Sequence, residues 1–267
     1  MPATVNSLKK KNNKYIVSIS TPLGKDKEYV VSEDLVVEYR LVKSKILSPD
    51  DYAIFLDVCE FDRFFQKAKH WLLFQPRSLS QTREYLEKAG ASDSLVEKTI
   101  AKLREKHLLD DDDFACRYAL ILLEDKRFGQ RRIAFELAKK GFDPESIKLA
   151  LFEINHDTIY ENMNYLFEKK LPTLGKSSLN AAILTMKHHL GQKGYEASDI
   201  QDIMAKRKGE FNQFIDEKKQ IEKDYRLVKA KYLRKDLPEA KRRDLTIQAL
   251  LRKGYSYELI KETVERG

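Results

Sequence analysis

The chain has 267 residues, with 50 Lys and Arg against 42 Asp and Glu for a net charge of +8, and 42% of it is hydrophobic. No stretch approaches the roughly 20 apolar residues of a membrane span, and the opening MPATVNSLKKK lacks the apolar core of a secretion signal, so the expectation is a cytoplasmic protein with no membrane partner. Cys59 and Cys116 have no paired spacing and support neither a disulfide framework nor a zinc site.

In chain order, the first fifty residues carry a period of two. Tyr15, Val17 and Ile19 alternate with Ile16, Ser18 and Ser20, TPLGKDK punctuates, and Tyr29 and Val31 lead on to Leu35, Val37, Tyr39 and Leu41; strands are predicted for all of these. A few such strands are marginal alone, so this β-rich arm (1–50) is expected either to pack on the first helices or to stay mobile. SPDD at 48–51 then supplies a serine cap, a first-turn proline and an aspartate three residues on, a capping-box start for a helical body.

From there the sequence repeats itself. Leu137, Leu190 and Leu250 each lie four residues before Gly141, Gly194 and Gly254; Phe142, Tyr195 and Tyr255 follow directly, and Ile147, Ile200 and Ile260 come six residues after the glycine. Leu86, Gly90 and Val96 repeat the pattern upstream, with Ala91 in place of the aromatic. The leucine closes the apolar stripe of one helix, and the glycine stops it in a left-handed turn that costs glycine little. The aromatic covers the corner, and Ser92, Asp143 or Ser256 stands where the next helix wants an N-cap oxygen, with Pro144 at a first helical position. The glycines are 51, 53 and 60 residues apart, more than a helical hairpin fills. A further amphipathic stretch precedes each hairpin, as in Phe114, Tyr118, Ile121 or Ile221, Tyr225, Val228, Tyr232.

The predicted fold class is therefore mainly α: tandem three-helix repeats at 51–110, 111–157, 158–207 and 208–267, forming an elongated curved array behind the β-rich arm.

Charge is uneven along this body. Residues 1–50 hold nine Lys and Arg against six Asp and Glu, 211–267 hold fifteen against ten, and 111–160 hold eight against ten. Basic ends suit a phosphate backbone or an acidic protein surface. The most suggestive basic segment is EDKRFGQRRIAFELAKKGF, where Lys126, Arg127, Arg131 and Arg132 surround a helix joint and Lys139 and Lys140 close the following helix. A helix dipole explains cations at a C-terminus but not Arg131 and Arg132, which fall in an early turn. Arg234, Lys235, Lys241, Arg242 and Arg243 gather likewise around the joint of the last helix pair. These eleven residues are the candidate contacts.

Catalytic readings find little. LGKSSL lacks the first glycine of a phosphate loop, since Lys170 stands there, and it follows a helix rather than a strand. The run Asp110 to Asp113 reads as helix-start capping, because calcium loops need alternating ligands and a glycine turn. The five histidines have no metal or triad spacing, and Trp71 reads as packing. No enzyme and no cofactor is expected.

In LLDDDDFACRYALILLEDKRFGQRRIAFELAKKGFDPESI, Asp110, Asp111, Phe114 and Ala115 precede Gly129, Arg132 and Ile133, and Leu137, Gly141 and Phe142 follow. This order resembles the central region of the RecX regulatory proteins, and the resemblance extends more weakly over about 15–267, departing at Ala91. It implies a bacterial, non-enzymatic modulator that binds RecA filaments on DNA and hinders their growth, lowering ATP hydrolysis and strand exchange. Implied partners are the RecA filament and, more weakly and electrostatically, single- and double-stranded DNA; the chain is expected to be a monomer. The alternative is a helical-repeat scaffold or nucleic-acid-binding module with an unrelated partner.

Overall fold

The computed structural model describes residues 2–266 apart from 13 and 22, so Pro22 of the punctuating TPLGKDK lies outside the described residues. The chain divides into two compact units. One comprises Met1–Ala115 with Ala138–Ser146, the other Cys116–Leu137 with Ile147–Gly267.

In the first unit, β1 (Ala3–Lys11), β2 (Lys14–Ser20), β3 (Asp26–Ser32) and β4 (Ile46–Leu47) form an antiparallel sheet in the order β3-β2-β1-β4. Strand alternation turns Val5, Val17, Ile19 and Val31 inward, where they bury against Leu35, Leu41, Leu47 and Phe55. Two sequence expectations are corrected here. β1, which the lysine-rich opening disguised, pairs along the whole of β2. The stretch from Leu35 is not a strand: α1 (Glu33–Glu38) takes it, because Ser32 caps it by accepting the Leu35 N–H and Glu33 and Asp34 fill its first turn. Only Leu35 of that helix is buried, while Val37 is 70% exposed, so no sheet face was available to hold an alternating pattern.

Helix α2 (Pro49–Phe74) begins with the predicted capping box between Ser48 and Asp51. It belongs to two cores. Phe55, with Tyr52, Val58 and Cys59, packs under the sheet, while Phe64, Phe65 and Ala68 pack with Leu86, Val96, Ile100 and Leu103 of α3 (Leu79–Lys88) and α4 (Asp93–Glu105). The β-rich arm is thus held by the first half of a helix whose second half is committed to the helical body. Ser92 stands at the N-cap of α4 but makes no side-chain cap hydrogen bond, contrary to expectation.

The remaining helices are α5 (Asp111–Glu124), α6 (Gln130–Lys139), α7 (Pro144–Phe152), α8 (His156–Lys170), α9 (Leu179–Gln192), α10 (Ala197–Lys206), α11 (Lys208–Phe214), α12 (Glu217–Leu233), α13 (Glu239–Arg252) and α14 (Tyr257–Arg266), with a 3₁₀ turn at Leu171–Leu174. The amphipathic stretch before the last hairpin is α12, and the chain breaks at Ile215 between it and α11. Asp216 caps α12 by accepting the Lys219 N–H, and Phe211 of α11 packs edge-on to Phe167 of α8 instead of continuing α12.

Gly90, Gly141, Gly194 and Gly254 all lie just past a helix with positive φ, between 81° and 89°. Three of them are more than helix stops, because each corner seats on the N-terminus of an earlier helix. Ser78, the N-cap of α3, donates its hydroxyl to the Lys140 carbonyl at 2.7 Å; Ser178, the N-cap of α9, does the same to Lys253 at 2.6 Å, and Asn180 donates to Gly254 at 3.0 Å. At α6 backbone donors take the place of the serine: the Gly129 N–H donates to Lys193 and the Arg131 N–H to Gly194. The C-terminal carbonyls of one helix thereby satisfy donors at the start of another, with opposed dipole ends in register. Carboxylates complete two junctions, Asp111 accepting the Leu79 N–H and Glu217 the Leu179 N–H.

Among the described residues the Gly90 corner has no such neighbour, since a Cβ there would meet nothing within 4 Å. At the far end, Pro238 and Ala240 of α13 stand at the positions that Ser178 and Asn180 hold in α9, sixteen and fourteen residues before the glycine. That helix start therefore lacks both side-chain donors that seat a corner.

Candidate functional site

In the second unit the end of α5 is organised by the Gly194 corner. Phe128 N–H closes the helix end onto the Leu122 carbonyl, and Arg127 takes a left-handed conformation with φ 50°. The carbonyls this exposes are then satisfied from across the joint: Tyr195 donates its hydroxyl to Arg127 at 2.9 Å, and Lys193 Nζ donates to Lys126 at 3.2 Å. A non-glycine residue in this region stores backbone strain of about 1–2 kcal/mol, which these bonds offset.

The consequence is a shelf of cations interleaved with rings. The Arg127 guanidinium lies 4.0 Å from the Tyr165 ring centroid, with Lys169 Nζ at 4.8 Å from the same ring. Arg132 lies 5.5 Å from Phe128 and 5.3 Å from Phe135, and Lys193 sits 5.3 Å from Phe128. Such contacts hold the cations in place without neutralising them. Among the described residues Lys126, Arg127, Lys169, Lys170 and Lys193 make no ion pair; only Arg132 is paired, with Glu136 at 2.7 Å. Arg207 shows the contrast, being committed to Glu210, Glu168 and Asn164 and stacked on Phe167 as a structural group.

The positive field registers on its neighbours. Burial, then Lys170 and Lys193, hold the His189 imidazole below its ordinary value, so it stays neutral near pH 7. A hydrogen bond from Lys169, aided by the charges of Lys169 and Arg127, pulls the Tyr165 phenol down against a burial effect of opposite sign. Each cation alone could be assigned to a helix C-terminus that favours it. What the fold adds is convergence, because the ends of α5, α8 and α9 meet at this shelf.

Of the eleven predicted contacts, Lys126, Arg127 and Arg132 are brought together here, and exposed Arg131 stands on the first turn of α6 beside them. Lys139 and Lys140 belong to the other unit, where the Lys140 carbonyl serves the Ser78 cap. Arg234 and Lys235 lie at and just beyond the end of α12, with Lys235 over Tyr232 at 5.4 Å. Lys241, Arg242 and Arg243 occupy the first turns of α13, where the dipole disfavours them and no ion pair compensates among the described residues. Lys169, Lys170, Lys193 and Tyr165 were missed, because each reads as an ordinary helix end until the three ends meet.

Among the described residues no group of three or more His, Cys, Asp or Glu side chains could hold a metal ion, and no helix is long and apolar enough to cross a membrane.

No family model matches the chain. Its relatives are more informative. A protein named Regulatory protein RecX from Oceanobacillus iheyensis is 24% identical over 273 aligned positions, covering 99% of this chain and 97% of the relative. Proteins of the same name from Geobacillus thermodenitrificans and Streptococcus pneumoniae are each 28% identical, over 88% and 95% of this chain and 86% and 95% of their own. Among solved structures, a crystal structure of regulatory protein RecX superposes with a TM-score of 0.61 at 21% identity, covering 75% of this chain and 99% of that one. That of RecX from Lactobacillus salivarius gives 0.53 at 22%, covering 55% and 95%. The chain is thus similar, end to end, to proteins named Regulatory protein RecX from separate genera, and it shares the helical fold of the solved RecX structures.

Proposed function

We propose that this protein binds RecA filaments on DNA and restrains them, lowering ATP turnover, filament growth and strand exchange without catalysing a reaction of its own. The supporting name is that of its relatives, regulatory proteins rather than enzymes. The observation that carries the reading is the shelf at the α5–α6 joint, where cations are held by rings and carbonyls rather than neutralised by carboxylates. A nucleoprotein filament offers the phosphates and carboxylates that Lys126, Arg127 and Lys193 lack, and the forked guanidinium donors of Arg127, Arg131 and, beside its Glu136 partner, Arg132 suit either. Lys241, Arg242 and Arg243 form a second contact, directed at DNA phosphates. In this reading the body is four three-helix repeats, 51–110, 111–157, 158–207 and 208–267, acting as a cytoplasmic monomer.

The test is RecA-driven ATP hydrolysis on single-stranded DNA. Substoichiometric protein should slow it, since one molecule on a filament affects many protomers. The double substitution Arg131→Ala with Arg132→Ala should weaken that inhibition while leaving stability within about 0.5 kcal/mol, as exposed surface changes usually do. Unchanged turnover at equimolar wild-type protein would overturn the reading, and full inhibition by the double variant would remove these arginines from it.

A further inference from the structure

The sheet of the first unit has one edge that nothing in the fold completes. β3 is its outermost strand, paired on one side only. Its register fixes which backbone groups face outward. The Thr21 N–H donates to the Lys25 carbonyl at 2.9 Å, which makes 21 and 25 a hydrogen-bonded pair at the hairpin end. Antiparallel pairing alternates, so Tyr29 and Val31 bond to β2, whereas Asp26, Glu28, Val30 and Ser32 direct their N–H and C=O groups away from it. The Ser32 N–H confirms the phase, because it donates outward to the buried Asp62 carboxylate of α2 at 2.7 Å. Glu28 and Val30 remain open.

Beside that edge runs the flank of α2. Leu56, Cys59, Arg63 and Lys67 wall a groove of about 480 Å³ against residues 28–32 of β3. It continues past Ser32 into a hollow of about 540 Å³ lined by Lys67, Lys69 and His70. Lys14, Ser32, Gln66 and Lys67 border both. Val30 is 57% exposed and Leu56 37%, so apolar surface is presented along the trough. The charges are unevenly used. Glu60 pairs with Arg63 at 3.7 Å, Glu33 with Lys10 at 3.5 Å, and Asp62 is occupied by Ser32 and Gln66. Lys14, Lys67 and Lys69 make no ion pair among the described residues, which leaves the Ser32 end of the trough cationic with Asp34 as its counterweight.

We propose that the β3 edge and the α2 flank form a strand-addition site for an extended segment of a partner protein that carries carboxylates at the end lying toward Ser32. An added strand takes the outward N–H and C=O groups of Glu28 and Val30 into its ladder. It sends alternate side chains into the groove against Leu56 and Cys59, and its acidic residues meet Lys14 and Lys67. The backbone ladder selects a polypeptide over a nucleic acid, and the ammonium groups select an acidic one. An unprotected edge would otherwise be a liability for self-pairing, which the lysines beside it oppose between identical copies.

The experiment uses the full chain, isotope-labelled, and an acetylated ten-residue peptide of alternating valine and glutamate. At ten times the peptide's dissociation constant, amide exchange at Glu28 and Val30 should slow about tenfold, following the bound fraction, while Tyr29 and Val31, already bonded to β2, change little. A peptide N-methylated at alternate positions and a valine–lysine peptide should not protect these amides. Lys14→Glu with Lys67→Glu should weaken binding of the acidic peptide about tenfold with the melting temperature retained. Equal binding of the methylated peptide, no protection at millimolar acidic peptide, or protection by oligo(dT) but not by peptide would each overturn the assignment. None of these outcomes depends on the RecA assay.

Discussion

Alanine at Gly141 and alanine at Gly90 separate two costs that a helix corner can combine. Both glycines lie in the same unit with φ of +81° and +89°, so each substitution forces an L-residue into the left-handed region, worth about 1–2 kcal/mol. For Gly90 that is the whole effect, because the new methyl group meets nothing within 4 Å. At Gly141 the methyl would stand 2.8 Å from Cβ and Oγ of Ser80, closer than carbon atoms pack, so α3 must move. Overpacking of this kind costs about 1–3 kcal/mol. The displacement also threatens the Ser78 bond to the Lys140 carbonyl, worth about 1 kcal/mol. The expected totals are therefore roughly 1–2 kcal/mol for Gly90→Ala and roughly 3–6 kcal/mol for Gly141→Ala. Urea denaturation reads the difference as a lower midpoint at unchanged slope, and amide exchange at Thr82 reports the local loosening. Equal destabilisation by the two substitutions would refute the idea that the Gly141 corner is a seat for α3 rather than only a helix stop.

The caps offer a parallel contrast: Ser178→Ala removes both the N-cap bond from Ala181 and the donor to Lys253, and should cost about 1–2 kcal/mol in a thermal melt, whereas Ser92→Ala, which loses no cap bond, should change little. Backbone and side-chain hydrogen bonds from Ser146 hold the Asp143 carboxylate below its usual range, so its contribution is present above the unfolded value near pH 4 and is lost as the pH falls further. Asp143→Asn, which keeps a capping oxygen but cannot titrate, should flatten the acid limb of the stability profile; an unaltered limb would count against the cap. Neutralising Lys241, Arg242 and Arg243 together should reduce the slope of log DNA affinity against log salt by about 0.7–0.9 for each phosphate that α13 then leaves unpaired, and a wild-type slope would remove α13 from the DNA-binding face.

The helical corners were legible because their signals are local. A left-handed turn after a leucine stripe needs a glycine whatever surrounds it, and Gly90, Gly141, Gly194 and Gly254 all adopt that conformation. The capping box at Ser48 and the acid run at 110–113 obey the same rule, since a cap and its helix are three residues apart; Asp110 accepts the Asp113 N–H as expected. Legibility ended where a neighbour remote in sequence decides. Leu35 to Leu41 alternated like a strand, yet β3 had no further strand to pair with, and Ser32 could start a helix instead. The basic joint was visible in Lys126, Arg127 and Arg132, but not Lys169, Lys193 or Tyr165, because a lysine at a helix end looks the same whether it faces water or two other helix ends. The sequence by itself determined that the chain turns at each glycine. Only tertiary structure decided that three turns are seats and the fourth is open, because a missing Cβ matters sterically only where another helix comes within reach of it.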